Sequence, residues 1–197
     1  KKYNKPVIAS VHSLEGELIR KAIRNIFKKS LFYFLYKTIG ISSYNKCNLL
    51  LIPSKEVGKE LNELKVKTKK LVLHLGVNTN KFIPSDDKAA SKLKINLKAH
   101  TKVIGFCGRI GREKDLMTLY KAFQRLKNHY PNIVLLIVGE GLKEQKKIFK
   151  KDEKVIVTGS KNDVVPYLQA MDVYVLPSLT ETSSLSTMEA MSCSVPV

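Results

Sequence analysis

Two carboxylates, Glu181 and Glu189, stand with seven residues between them in the stretch Pro177-Ser178-Leu179-Thr180-Glu181-Thr182-Ser183-Ser184-Leu185-Ser186-Thr187-Met188-Glu189. The apolar run before it, Val173–Leu176, reads as a short buried strand. Pro177 ends that strand because it has no N–H for a ladder. Leu185, Met188 and Ala190-Met191 then resume at helical spacing, so the unit is strand, turn, helix. A helix start exposes unpaired N–H groups and the positive end of a dipole, which suits a diphosphate. Ser183, Ser184 and Leu185 lie at that start, and the two glutamates flank it, able to accept from neutral hydroxyls beside the phosphates. A purely local explanation competes, because Ser186-Thr187-Met188-Glu189 fits the S-x-x-E capping box. Both readings of Glu189 stand at this point.

A second group of polar residues follows the apolar run Val103–Cys107: Gly108-Arg109-Ile110, with Lys114 just beyond. A guanidinium can grip two phosphate oxygens in fork geometry, and a lysine adds a point charge. Five of the 35 basic residues are Arg, so an Arg placed after Gly at a strand end stands out. Arg112 is read as surface. Gly139-Glu140-Gly141 and Gly159 follow two further apolar runs; taken alone such glycines are tight turns. His12 ends the first apolar run, while His74, His100 and His129 receive no role.

The elements that must position these residues are legible as apolar runs at 7–11, 48–52, 71–75, 103–107, 133–138, 155–157 and 173–176. In the second half they alternate with amphipathic helices, one carrying Leu116, Leu119, Tyr120, Phe123 and Leu126. Asn162 or Asp163 is expected to cap the helix that runs through Leu168 and Ala170. Such alternation predicts a parallel sheet covered on both faces. Ligands of these sheets sit beyond the carboxyl ends of the strands, where Gly108-Arg109, Gly139, Gly159 and Glu181 fall. In the first half a helix from about Glu17 places Ile19, Ala22, Ile23, Ile26 and Phe27 on one face and Arg20, Lys21, Arg24 and Lys28 on the other. Leu31–Tyr36 is apolar on every side. It is either a helix end buried against a sheet or part of a basic segment lying on an anionic membrane. Ser54 is expected to cap a helix with Val57, Leu61 and Leu64, and residues 84–100 to form a surface linker with one short helix, Asp86-Asp87 being a solvated turn.

The chain of 197 residues, 44% of them hydrophobic, can bury a core. Its net charge of +18 comes mainly from scattered lysine, which reads first as solvated surface and second as attraction to nucleotide phosphates or acidic lipid. Nucleic acid is not an expected partner, with no Trp, zinc spacing or aromatic base-reading motif. Cys47, Cys107 and Cys193 are isolated, which fits reduced thiols in the cytosol. No run of about twenty apolar residues is present. A start at Lys1 just before a strand, and a stop within Ser194-Val195-Pro196-Val197, suggest an internal piece of a longer protein.

The glutamate pair after Pro177-Ser178 and around Glu189-Ala190-Met191 resembles the donor motif of family 4 (group 1) glycosyltransferases, although the turn Glu181-Thr182-Ser183-Ser184 replaces the usual Glu-Gly-Phe-Gly. Gly108-Arg109-Ile110 with Lys114 resembles that family's Gly-Arg-Leu segment, and Gly76-Val77-Asn78-Thr79-Asn80-Lys81-Phe82 its interdomain Asn-Gly-Val-Asp-x-x-x-Phe segment. The resemblance implies an α/β GT-B fold of two Rossmann-like domains with parallel sheets. Residues 1–83 would be the end of the acceptor-side domain and 84–197 the start of the nucleotide-sugar domain. It implies transfer of a hexose from a nucleoside diphosphate sugar to a glycan, lipid or small-molecule acceptor, with retention and without a metal or other cofactor. Glu181 would then touch the hexose and Glu189 the ribose. Arg109 and Lys114 would clamp the diphosphate, Gly108, Gly139 and Gly159 would line the nucleotide, Ser183, Ser184 and Leu185 would meet phosphate, and His12 would reach the sugar from the other domain. The expected location is the cytosol, with the cytosolic membrane face as the alternative. A nucleotide-sugar epimerase and a non-enzymatic basic lipid- or RNA-binding module are the competing functions.

Overall fold

The structure is a computed structural model that describes residues 5–12 and 26–197. Its contacts divide the chain into two compact units, one of residues 1–75 with 180–183, the other of 76–179 with 184–197.

The first unit holds a parallel sheet of β1 (Ile8–Ser10), β2 (Leu49–Ile52) and β3 (Lys70–Val72), in that order. Between β1 and β2 lie α1 (Ile26–Leu35), a π-helical turn (Tyr36–Gly40) and α2 (Ile41–Asn45). The helix α3 (Lys55–Glu63) follows β2, and the Ser54 hydroxyl caps it by accepting from the Val57 N–H at 3.3 Å, as expected. Val11, Leu50, Ile52, Val57, Leu61 and Val66 form its small core. Residues 17–25 of the anticipated basic helix lie outside the described residues. Within them, the buried reading of the helix end fails. Phe27 is 87% exposed, Leu31, Phe32, Phe34 and Leu35 are exposed too, and of Leu31–Tyr36 only Tyr36 is buried. No described element covers that face.

The second unit contains α4 (Lys88–Lys94), β4 (Lys102–Cys107), α5 (Leu116–Leu126), β5 (Ile133–Val138), α6 (Lys143–Phe149), β6 (Val155–Val157), α7 (Val165–Ala170), β7 (Val173–Tyr174) and α8 (Leu185–Ser192). Its strands are parallel in the order β6-β5-β4-β7. Both faces of the sheet are covered, so the pleat sends alternate residues into two cores. Ile133, Leu135 and Ile137 join Phe106, Leu116, Phe123 and Phe149, whereas Leu136 and Val138 join Val103, Leu168, Met171, Tyr174 and Ala190. Phe82 is buried in the latter core, which carries Gly76–Phe82 into this unit.

Buried charges hold the frame. Lys92, nearly inaccessible, reaches both carboxylate oxygens of Asp172 at 3.0 and 2.9 Å, and Asp172 accepts from the Val103 N–H at 2.7 Å. Asp152, just after α6, receives Lys127 at 2.6 Å, Gln124 and the Lys154 N–H. Burial works against its charge, but those donors prevail and hold the carboxyl below its ordinary 3.8. Asp87 is exposed, as expected, and its carboxylate also accepts from the Ala89 and Ala90 N–H groups and caps α4. Val164, not Asn162 or Asp163, is the N-cap residue of α7, and the Asp163 carboxylate bonds the Val165 N–H at 3.1 Å.

The chain steps outward from β4 to β5 to β6, then returns across β4 to lay down β7. The crevice of such a sheet opens where the direction reverses, between the carboxyl ends of β4 and β7.

Candidate functional site

The three glycine turns meet. Gly108 N–H donates to Val138 O at 2.9 Å, and Gly139 N–H donates to Gly159 O at 3.0 Å, so the chain ends of β4, β5 and β6 lie side by side. All three glycines have positive φ, at 152°, 145° and 73°. A Cβ on Gly139 would collide with the Gly108 carbonyl oxygen, so glycine there lets two backbones touch. Gly108, Gly139 and Gly159 therefore shape the floor of the carboxyl edge through backbone alone.

At the other side of the crevice α8 begins, with Ser184 as its N-cap residue. The Ser184 hydroxyl oxygen accepts from the Thr187 N–H at 3.2 Å and the Thr187 hydroxyl at 2.8 Å. Ser186 is instead bonded to the Tyr174 hydroxyl at 2.8 Å, and that hydroxyl donates to Cys107 O at 3.3 Å. The Ser186–Glu189 capping box is thus not formed, and Glu189 is left for another task. A helix start leaves its first N–H groups without helical partners, here those of Leu185 and Ser186. Leu185 itself projects an exposed side chain. Glu189 is half-buried, and burial pushes its carboxyl above the ordinary 4.5 while Lys81 opposes the shift. Its charge adds to the burial that drives the Cys107 thiol up to about 12 and the Cys193 thiol to about 11. The Ser186–Tyr174–Cys107 bonds set the first turn of α8 beside the carboxyl end of β4.

Arg109 follows Gly108, its side chain 65% exposed, and its Nη2 donates to Glu113 Oε1 at 2.5 Å. Glu113 sits in the 3₁₀ turn Arg112–Lys114 and is only 6% exposed. Lys114 is half-buried in the same turn. Arg112 lies 3.9 Å from Glu144. Glu113 escaped the sequence reading, since a lone Glu between basic residues looks solvated; its nearness to Gly111, which leaves room for the carboxylate, was the available signal.

His12, Glu181 and Ser183 belong to the first unit. His12 and Glu181 are exposed and Ser183 is half-buried. The Thr182 hydroxyl donates to His12 O at 2.8 Å, a contact within that unit. Among the described residues no group of His, Cys, Asp and Glu is arranged to hold a metal, and no helix is long and apolar enough to cross a membrane.

Residues 101–197 match the family described as glycosyl transferases group 1. This chain belongs to that family. It is 31% identical over 198 residues to the UDP-Gal:alpha-D-GlcNAc-diphosphoundecaprenol alpha-1,3-galactosyltransferase of Escherichia coli, covering 94% of this chain and 50% of the relative. An alpha-monoglucosyldiacylglycerol synthase of Acholeplasma laidlawii is 29% identical over 170 residues, 79% of this chain and 42% of the relative. The chain thus spans about half the length of the curated relatives it matches. Among solved structures, sucrose-phosphate synthase from Thermosynechococcus elongatus superposes with a TM-score of 0.79 at 20% identity over 96% of this chain and 49% of that one. Anabaena Alr3699/HepE, solved in complex with UDP-glucose, gives 0.77 at 18% over 98% and 53%. The fold of this group 1 glycosyl transferase chain is accordingly GT-B, with an α/β parallel sheet in each unit.

Proposed function

We propose that the protein transfers a hexose from a nucleoside diphosphate sugar to an acceptor with retention of configuration. The observation that carries this is the convergence of Gly108-Arg109, Gly139 and Gly159 on the carboxyl edge of one sheet, beside the start of α8, the helix that bears Glu189. Arg109, Lys114 and the N–H groups of Leu185 and Ser186 would hold the diphosphate and meet the charge that develops as it leaves. Glu189, freed from capping, would accept from the ribose hydroxyls, and Glu181 would do the same for the hexose. His12 is assigned to the sugar from the acceptor side. No metal or other cofactor is assigned, the leaving charge being met by protein donors. UDP-sugar complexes of structural relatives support this donor class. The test is turnover of UDP-glucose and UDP-galactose by the complete protein, with the anomer of the product read by NMR. Conversion of donor to its epimer without acceptor would replace the transferase reading with an epimerase.

The acceptor side has its own pointer. Two relatives carry diphosphoundecaprenol or diacylglycerol in their names, which supports an acceptor bearing a lipid. The exposed apolar face of α1, beside Lys28 and Lys37, suits an anionic membrane surface, with the protein peripheral on its cytosolic side.

A further inference from the structure

A guanidinium that is 65% exposed would ordinarily wander among rotamers, yet a clamp for two phosphate oxygens needs it held. Its restraint is Glu113, a carboxylate with 6% exposure in the 3₁₀ turn one element away. We propose that Glu113 is a positioning residue for donor binding, its carboxylate fixing Arg109 at the carboxyl end of β4 while its carbonyl tethers the segment that leaves β7. This rests on the donor-site reading above.

The pair is asymmetric. Two exposed partners would contribute little to each other, but a buried carboxylate without a partner is costly, so Glu113 draws Arg109 to it strongly. The bond occupies one N–H of Nη2, and the guanidinium keeps further donors for an anion. Gly111 supports the arrangement, because a Cβ there would occupy the space of the Glu113 carboxylate. The backbone of the same residue does the second job: the Leu179 N–H donates to Glu113 O at 2.8 Å, two residues before Glu181. One residue in the turn thereby ties the element bearing Arg109 to the strand exit that leads to α8.

The experiment is a double-mutant cycle on UDP binding, measured by calorimetry with the complete protein: wild type, Glu113→Ala, Arg109→Ala and the double variant. Glu113→Ala is expected to weaken UDP by about ten- to a hundredfold in the wild-type background and to add nothing once Arg109 is gone. Glu113→Gln, which keeps an acceptor for Nη2, should restore binding to within about threefold of wild type. If Glu113→Ala does not fold, Glu113→Asp serves, since it retains the charge but withdraws it by one methylene. It should cost about tenfold with Arg109 present and nothing without it. Equal losses in both backgrounds, or no loss at all, would overturn the positioning role. A wild-type protein that binds neither UDP, GDP nor ADP overturns the donor-site reading itself, and this proposal with it.

Discussion

At the scale of single residues, the two readings of Glu189 are separated by where the cap of α8 falls. Ser184 takes that position, so Ser184→Ala should lower stability by about 1 kcal/mol in thermal unfolding. Glu189→Gln should leave the melting temperature alone and weaken UDP binding about ten- to a hundredfold, the loss of bonds contributing roughly 1.5–3 kcal/mol. A Gln variant that binds UDP normally would remove Glu189 from the site. The burial that raises its carboxyl above 4.5 adds a pH signature. Between that ordinary value and the raised one, the folded state holds a proton that the unfolded state has released. Stability therefore falls as pH rises through the window and is flat above it. UDP affinity moves oppositely, strengthening as the carboxylate forms, and Glu189→Gln should flatten that dependence. The spacing of Glu181 and Glu189 and the glycine before Arg109 were readable because each is a local pattern. Ser184 and Glu113 were not, since a cap shifts by two residues with the turn geometry, and a buried carboxylate depends on a 3₁₀ turn that no apolar period announces.

Among elements, the strands were the clearest part of the sequence. Runs buried on both faces must be continuously apolar, and β4 and β5 fall where Val103–Cys107 and Ile133–Val138 had placed them. The edges fared less well. Pairing of β7 ends at Tyr174 although the apolar run continues to Leu176, because only Ile104 and Gly105 of β4 face it. Gly139 shows how tightly the strand ends are fitted. Gly139→Ala adds a Cβ at a φ of 145° and against the Gly108 carbonyl, so it should cost about 3 kcal/mol or more and abolish nucleotide binding by displacing the turn before Arg109. An unchanged denaturation midpoint would contradict this. Asp152 ties α5 to the segment entering β6, and Asp152→Asn should lose about 1–3 kcal/mol at neutral pH. Its folded carboxyl lies below 3.8, so the wild-type advantage persists down to that value and fades as pH falls through the lowered one. Urea titrations of both proteins at pH 7 and in strong acid would read the difference.

For the whole molecule, charge and exposed apolar surface point the same way. If the face of α1 meets acidic lipid, the complete protein should sediment with phosphatidylglycerol vesicles more than with phosphatidylcholine ones, each participating Lys contributing about 1 kcal/mol that fades with salt. Equal partitioning would leave that face to protein packing. Among the described residues the buried side chains are also shared out unevenly, with two large clusters in the second unit against one cluster of six in the first. The consequence is a loss of cooperativity: heated, these 197 residues should not melt as one body. Amides of β2 should exchange with deuterium well before those of β5, and a calorimetric scan should resolve two transitions. Saturating UDP should raise the upper one alone, because a ligand stabilises only the part that must stay folded to hold it.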